Sequence, residues 1–384
     1  MRFQVAKQDL DAALQVVNPS LSGSGGGIET HYVFRRTGPD DAGKYGVVVL
    51  TNSGLLSGSC PLIVSVDDPG TASEFTVEGG RLKQFLAHVP DTALTFTFDD
   101  KEKETVVRAV RATQSYPSLA ADYRYDWGDL LKEAKHTATL PADRVAGALS
   151  YSRRFAAPEN AKRPELCVCE IKGGILFSTD QKGVTLVRLK ELEESSLRVH
   201  SKDVSGFLGF LAACEGTSVD VLEHDRKLIF RRHDGAVFAE SRFGAEFPDF
   251  EVEMDEEPHH KWTLSKDDLT HGIGVLTSGA ADSDNRLHLA LGTAEGEVVL
   301  SMMTTGGKKT EYPIQSIAME SLGGKPPIPD EGFYIDHPCL TKVLSSWKGD
   351  NIMLGNSVKG IRGTTRVGVE HDGDEYLTIL GWLR

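Results

Sequence analysis

Val5-Ala6-Lys7-Gln8-Asp9-Leu10-Asp11-Ala12-Ala13-Leu14 sets an apolar strand position ahead of apolar or small residues at +5, +8 and +9. The same spacing returns as Val77/Leu82/Phe85/Leu86, Leu140/Val145/Ala148/Leu149, Val199/Val204/Phe207/Leu208, Leu264/Leu269/Gly272/Ile273 and Ile335/Leu340/Val343/Leu344. The starts at 5, 77, 140, 199, 264 and 335 stay near one sixth of the 384-residue chain apart. A strand that ends, a short polar step and a helix whose buried stripe recurs every three or four residues give this pattern. One or two copies would arise by chance wherever a strand precedes a helix. Six, spread over the whole length, mark a tandem duplication.

The pattern predicts helices over 6–17, 80–89, 141–155, 201–213, 265–278 and 337–348. Ser201 and Ser265 stand where a hydroxyl can accept from orphan N–H groups, and Pro141 and Pro338 where a first turn tolerates proline. Between the helices lie strand-like stretches: Tyr45–Leu50, Leu94–Phe98, Gly174–Ser178, Val219–Leu222, Lys227–Phe230, Val298–Ser301 and Tyr376–Leu380. The expected fold class is therefore α+β, with three copies of one domain in a row and two half-units of strands plus one helix in each. The expected domains are 1–127, 128–257 and 258–384, each of ordinary domain size. The turns Tyr116-Pro-Ser-Leu119 and Phe247-Pro-Asp-Phe250 and the acidic stretch 251–258 fit the first two boundaries.

Composition is that of an ordinary globular chain, 40% hydrophobic and 26% charged, which disfavours disordered and membrane classes. No apolar run approaches the roughly 18 residues a spanning helix needs. The N-terminus does not read as a signal peptide, so a cytoplasmic location is expected. Five scattered cysteines, Cys60, Cys167, Cys169, Cys214 and Cys339, fit reduced thiols better than a disulfide framework. Cys167 and Cys169 share one face of a strand and lack a second pair, so core packing outweighs metal binding. No metal and no cofactor are expected. Phosphate-loop, nucleophile-elbow and zinc-protease motifs are missing, so no catalytic residue and no enzyme are expected. The glycine-rich Ser22–Ile28 lacks the lysine of a phosphate loop and reads as a flexible loop.

A net charge of −14 speaks against nucleic acid until its distribution is considered. The six predicted helices hold ten basic residues (Lys7, Arg81, Lys83, Arg144, Arg153, Arg154, Lys202, Lys266, Lys342, Lys348) and six acidic ones, a net of +4. The remainder of the chain carries −18. Equivalent helices on one surface would make it mildly basic and leave the rest acidic. A few scattered cations suit a protein that surrounds a polyanion loosely, whereas tight binding needs many phosphate contacts.

At this point the sequence resembles the bacterial-type sliding clamp, the β subunit of DNA polymerase III, including divergent or phage-encoded members. Arg163-Pro-Glu-Leu166 followed by Gly174-Ile-Leu-Phe-Ser-Thr-Asp180 and Leu186 is similar to that family's R-P-x-L…L-x-x-x-A-T-D-G-H-R-L stretch. Phe247-Pro-Asp-Phe250 and Tyr116-Pro-Ser-Leu119 resemble its F-P-D-Y and F-P-x-L turns. The resemblance implies a head-to-tail homodimer forming a ring, with helices lining the hole and sheets outside. The ring encircles double-stranded DNA without sequence preference and tethers the replicative DNA polymerase, with the clamp loader as a further partner.

By position, the resemblance places DNA contacts at Lys7, Lys83, Arg153, Arg154, Arg163, Lys202, Lys266 and Lys342. It places a peptide pocket at Leu166, Thr179, Leu186, Pro248, Val252, Val358, Leu380 and Trp382, and a dimer interface at Val106, Arg108, Leu276 and Thr277. The chain departs from the family at Gln181–Thr185, where the family has Gly-His-Arg, and at the ending Leu380-Gly-Trp-Leu-Arg384. The competing reading is a β-rich protein that binds something other than DNA, such as carbohydrate, or a phage structural protein. It explains the strands and the acidic surface but not six evenly spaced, basic-biased helices.

Overall fold

The structure, a computed structural model, describes residues 1–384 apart from 22–26, 54–55, 120–126, 158–162, 181, 194–195, 225–226, 242–257, 281–284, 322, 324–327, 347–348, 360–361, 372–373 and 382–384. Its longer helices are α1 (Lys7–Val17), α2 (Gly79–His88), α3 (Trp127–Glu133), α4 (Ala142–Ser152), α5 (Val204–Ala212), α6 (Lys266–Ser278) and α7 (His337–Ser346). Six of these coincide with the six predicted from the repeat. Each of the six starts lies on the strand that runs into its helix, and these strands are Arg2–Ala6, Glu74–Glu78, Lys135–Pro141, Ser196–His200, His260–Ser265 and Phe333–Asp336. Of the 24 repeat positions only Phe85 and Leu208 are not fully buried, and both are partly so. The +5, +8, +9 spacing therefore reads out one buried stripe six times.

Local chemistry differs between copies. Ser265 Oγ accepts from the Asp268 amide at 3.2 Å and caps α6. Ser201 does not cap α5, because residues 201–203 form a turn first and Asp203 holds the N-cap position without a side-chain cap bond. The seventh helix, α3, was not legible. It is short and outside the repeat, and Trp127 packs with Val33, Leu222, Ile229 and Val237.

The chain divides into two compact units, Met1–Ser150 with Leu197–Gly244, and Tyr151–Ser196 with Ala245–Arg384. The first unit contains a five-stranded sheet in the order Val64–Asp68, Arg2–Ala6, Ala93–Asp99, Glu104–Arg108, Thr113–Pro117. It also contains an eight-stranded sheet in the order Lys135–Pro141, Ser218–His224, Lys227–Arg232, Val237–Ser241, Leu56–Leu62, Gly46–Asn52, His31–Thr37, Glu74–Glu78. Its core is aromatic: Phe3, Phe34, Phe75 and Phe96 stack at centroid distances of 5.0–6.5 Å. Phe207 meets Phe230 and Phe238 edge-on at 5.0 Å.

In the second unit eight strands run in the order Val168–Lys172, Ile175–Thr179, Gly183–Arg188, Asp374–Gly381, Arg362–His371, Asn351–Lys359, His260–Ser265, Ala318–Ser321. A four-stranded sheet runs Lys309–Gln315, Glu297–Met303, Arg286–Leu291, Phe333–Asp336. Adjacent strands in all four sheets pair antiparallel wherever a register is resolved.

Both large sheets are made by one kind of joint. In the first unit Val237–Ser241, the last strand of its half-unit, pairs with Leu56–Leu62, the third strand after α1. In the second unit Asp374–Gly381, again the last strand of its half-unit, pairs with Gly183–Arg188, the third strand after α4. The repeat thus specifies how successive copies join as well as how each copy folds.

The five cysteines are free and buried. Burial pushes the Cys60 and Cys339 thiols up to about 12, which leaves little thiolate at neutral pH. Cys167 and Cys169 are buried, though Cys167 precedes the strand Val168–Lys172 and Val168 between them is buried as well, so no alternation sets the pair apart. No helix among the described residues is long and apolar enough to cross a membrane.

Candidate functional site

The basic residues singled out from the helices fall at helix starts, at helix ends, in adjoining turns and, for Lys83 and Lys342, in mid-helix. In the first unit Lys7 opens α1 and pairs with Asp11 one turn on at 2.7 Å. Lys83 is exposed on α2, and Lys202 is exposed in the turn before α5. In the second unit Arg153 and Arg154 form the 3₁₀ turn that extends α4. Arg154 is drawn inward, with Nη1 donating to the Lys342 carbonyl at 2.8 Å and to Ser345 Oγ at 3.0 Å. Burial holds this guanidinium's pKa below its ordinary value. Arg163 is exposed and Lys266 half-buried. Lys342 pairs with Asp180 at 3.2 Å, its ammonium 5.3 Å from the centre of the Phe155 ring. Lys348 lies outside the described residues.

The apolar residues expected to form a pocket divide across a sheet. Thr179 and Leu186 share one face with Ile175, Phe177, Val184, Leu377 and Ile379, since Thr179 pairs with Val184, and Leu186 with Phe177 and Leu377. Leu380, three residues beyond Leu377, falls on the opposite face beside Gly183, in a core with Phe155 and Trp262. One anchor therefore cannot touch Leu186 and Leu380 together. Ile379 is the residue of the last strand on the Leu186 side, and a one-residue shift in alignment is enough to exchange the two faces.

Leu166 is buried with Ala157 and Cys167. Val358 pairs with Gly363 through its backbone, and Pro248, Val252 and Trp382 lie outside the described residues. Thr179 Oγ1 donates to the Gly183 carbonyl at 2.7 Å. The turn that opens the Gln181–Thr185 departure is tied to α7 by the Lys342–Asp180 pair and to Asp336, just before α7, by Lys182, both at 3.2 Å.

Of the residues expected at a dimer interface, Val106 and Arg108 lie on a strand occupied on both sides. Val106 pairs with Thr97 and with Ser115. Leu276 is 1% exposed in the core and Thr277 is half-buried, donating to the Ile273 carbonyl at 2.8 Å. The open positions are their neighbours. Thr113–Pro117 ends the five-stranded sheet, Lys309–Gln315 ends the four-stranded sheet, and Val275 on α6 is 42% exposed. Sequence spacing alone does not distinguish an edge strand from the strand beside it.

No protein-family model matches the sequence, and no curated protein resembles it closely enough to count. Solved structures do match its fold over its full length. The DNA polymerase sliding clamp from Bacillus subtilis superposes with a TM-score of 0.80 at 15% identity, covering 100% of this chain and 99% of that one. The DNA polymerase III subunit beta from Pseudomonas aeruginosa gives 0.79 at 14%, covering 100% of both. The beta sliding clamp from C. crescentus gives 0.79 at 16%, covering 100% and 99%. The chain has the sliding-clamp fold from end to end.

Proposed function

We propose that the chain is a DNA sliding clamp, a non-enzymatic processivity factor of the cytoplasm that works in DNA replication. In this reading it encircles duplex DNA as a head-to-tail homodimer and tethers the replicative polymerase and the clamp loader in turn. The observation that carries the proposal is the repeated joint. Two of the three strands that stand third after the first helix of a domain, Leu56–Leu62 and Gly183–Arg188, pair with the last strand of the next domain. The third, Lys309–Gln315, has no partner on its outer side among the described residues, and neither has Thr113–Pro117, the last strand of the first domain. Domains 1–127, 128–257 and 258–384 joined in this way leave one open edge at each end, and a second chain satisfies both.

The internal joint also supplies a register. Pro61 opposes Val48 and Pro313 opposes Val299, so the prolines hold the same place in their hairpins. Thr113 opposes Arg108 as Val237 opposes Arg231. Transferring the pairs Val237↔Ser59 and Ala239↔Ser57 sets Thr113 against Glu311 and Ser115 against Lys309 of the second chain. Arg108 and Arg111 then lie near Glu311, with Val106 one strand inward and Val275 and Thr277 on the helix behind.

Within this reading Lys7, Lys83, Arg153, Arg163, Lys202, Lys266 and Lys342 offer cations to the phosphates, with Arg154 holding α7 in place. A polymerase peptide anchors on the face of Leu186, Thr179 and Ile379, with Leu166, Pro248, Val252 and Trp382 as candidates that the resemblance alone supplies. Burial of one or two apolar side chains, at about 1.5–3 kcal/mol each before ordering costs, gives the modest affinity that exchange of partners requires. The test is retention on a singly nicked circular plasmid during gel filtration, combined with sedimentation at micromolar concentration. A dimer that stays on the circle and leaves once the plasmid is cut supports the ring. A monomer, or equal loss from circle and line, refutes it.

A further inference from the structure

The first strand of each domain has two sides, and the repeat fills both sides in only two of the three copies. Arg2–Ala6 pairs with Ala93–Asp99 and, on its other side, with Val64–Asp68. His260–Ser265 pairs with Asn351–Lys359 and with Ala318–Ser321. Lys135–Pro141 pairs with Ser218–His224 and ends the eight-stranded sheet, with no strand beyond it among the described residues. In the first and third domains the filling strand is the next one built after the third strand that follows the helix. In the middle domain the chain leaves Gly183–Arg188 and makes the 3₁₀ turn Lys190–Leu192 instead. The Leu189 amide donates to the Gly174 carbonyl at 2.6 Å. Only a glycine permits this approach, because a Cβ at residue 174 would stand 3.1 Å from the Leu189 carbonyl oxygen. The segment therefore folds onto its own hairpin, and the edge of Lys135–Pro141 stays open.

The two filled copies show what such an edge takes. Val66 opposes Phe3 and Met319 opposes Trp262, each two residues before the repeat start. The small residues Ser65 and Ala318 oppose Gln4 and Thr263. An acid follows: Asp67 lies 3.6 Å from Arg2 and accepts from Gln4 Nε2 at 3.1 Å, and Glu320 opposes Lys261. Both fillers thus read small, apolar, acidic, as Ser65-Val66-Asp67 and Ala318-Met319-Glu320.

The open strand repeats the receiving side. Lys266 and Ala142, each two residues beyond a repeat start, donate to Asp350 and Thr217 carbonyls at 2.8 and 2.9 Å, toward the strand already paired. Alternation then turns Thr263 and Thr139 to the other side, where the Thr263 carbonyl accepts from the Ile317 amide at 2.8 Å. After Thr139 and Ala138 the bulge at Thr137 brings His136 to the place of Arg2 and Lys261, with Lys135 beside it. Lys135, His136 and Thr139 are exposed. Asp220 on the neighbouring strand is already held by Arg231 and by the Thr139 hydroxyl, both at 2.8 Å, and lies 3.5 Å from His136. Pro141 has no N–H, so the edge takes a short segment, as the four- and five-residue fillers are.

We propose that the open edge of Lys135–Pro141 docks an extended segment of a partner protein as an added antiparallel strand. The segment carries a small residue opposite Thr139, an apolar one opposite Ala138 and an acid beside His136 and Lys135. Main-chain hydrogen bonds supply the affinity and the alternating side chains the selectivity. The proposal rests on the repeat and goes beyond the clamp reading, since neither DNA nor ring closure enters it.

The probe is a fluorescein-labelled peptide with the sequence of residues 62–70, which contains one natural filler, titrated with the full chain and followed by anisotropy. Saturable binding is expected. Thr139→Pro removes an outward amide and leaves the ladder to Ser218–His224 in place, so it should weaken binding about tenfold. Replacing Asp67 and Asp68 of the peptide by alanine should weaken it about two- to fivefold, as loss of an exposed ion pair does. No binding by the parent chain would overturn the proposal. Equal binding by the parent and Thr139→Pro would also overturn it, because the peptide would then be displacing Val64–Asp68 from its own place.

Cross-linking tests the same pairing without a proline. In a glutathione redox buffer Thr139→Cys should form a mixed disulfide with a peptide carrying Ser65→Cys, and at least about tenfold less with one carrying Val64→Cys, whose side chain alternates to the other face. Equal yields would show contact without strand register and overturn the proposal. Sedimentation covers the remaining occupant: self-association of the parent that Thr139→Pro abolishes, with no peptide bound, would give the edge to a second copy and overturn it as well.

Discussion

Leu56–Leu62 and Lys309–Gln315 hold the same place in the repeat and carry a proline at the same point of the hairpin, yet one lies within a sheet and the other at its edge. Of the first strand only Pro61 is exposed, whereas in the second only Ile314 is fully buried. Their partners differ in the same way. Val237-Phe238-Ala239 is apolar and buried, and Thr113-Gln114-Ser115 is polar and largely open. A joint made once, within a chain, is built as core. An edge strand left in water is kept polar, which limits indiscriminate strand addition; the proline is common to both strands and does not distinguish them. A ring of such chains would carry two kinds of seam, permanent ones inside each chain and openable ones between chains.

The largest effect expected from this contrast is at the permanent seam. Phe238 is fully buried against Phe207 and Phe210, so Phe238→Ala should cost about 3–5 kcal/mol. Urea unfolding measures this, and a loss below about 1 kcal/mol would show that the joint is not core. At the openable seam, Ser115→Pro with Lys309→Pro, positions that oppose each other in the transferred register, should remove ladder hydrogen bonds at about 0.5–1.5 kcal/mol each. Sedimentation should then show monomer while the thermal midpoint of the chain changes little. A dimer that survives both prolines would place the seam elsewhere.

A smaller effect tests the two faces of the Asp374–Gly381 strand. Ile379→Asp sets a carboxylate on the Leu186 face, and the account expects processive synthesis to fall about tenfold or more in a primer-extension assay while the chain stays dimeric. Leu380→Asp, on the opposite face, should instead unfold the core around Phe155. If Ile379→Asp left processivity intact, partners would bind on another surface.

The smallest effect is at the divergent turn. The Lys182–Asp336 pair is exposed on the lysine side, so Lys182→Ala should cost under about 1 kcal/mol. The hydrogen bond and charge of Asp336 raise the Lys182 pKa. That contribution is full below the ordinary lysine value of about 10.4 and is lost only as pH rises through the raised folded value. The substitution should therefore cost the same at pH 6 and pH 8, and a cost that changed between them would implicate a different group.

The features most legible in the sequence were those that repeat. Six strand-to-helix units were readable because one buried stripe recurs with one spacing, and the repeat positions proved buried almost without exception. Helix α3 was not readable, since seven residues bearing one anchoring tryptophan have no period to detect. That Leu186 and Thr179 share a face follows from one hairpin, where register is local. Ile379 and Leu380 are both apolar, and only pairing with Gly183–Arg188 decides which shares the Leu186 face. The edge strands are not legible for a related reason: whether a strand has one neighbour or two is a property of the sheet.

The most direct measurement is a disulfide across the proposed seam. Ser115 and Lys309 are both exposed, and the five native thiols are buried, so the double variant Ser115→Cys, Lys309→Cys offers two reactive positions per chain. Directly opposed strand residues stand about 4.5–5.5 Å apart at Cα, within the range a disulfide spans. Oxidation should convert the chain into a dimer closed by two cross-links, which runs on a denaturing gel as one circular species distinct from the singly linked form and disappears on reduction. Cross-links within one chain, open-ended polymers, or no cross-link at conditions where the chain is dimeric would contradict the head-to-tail ring.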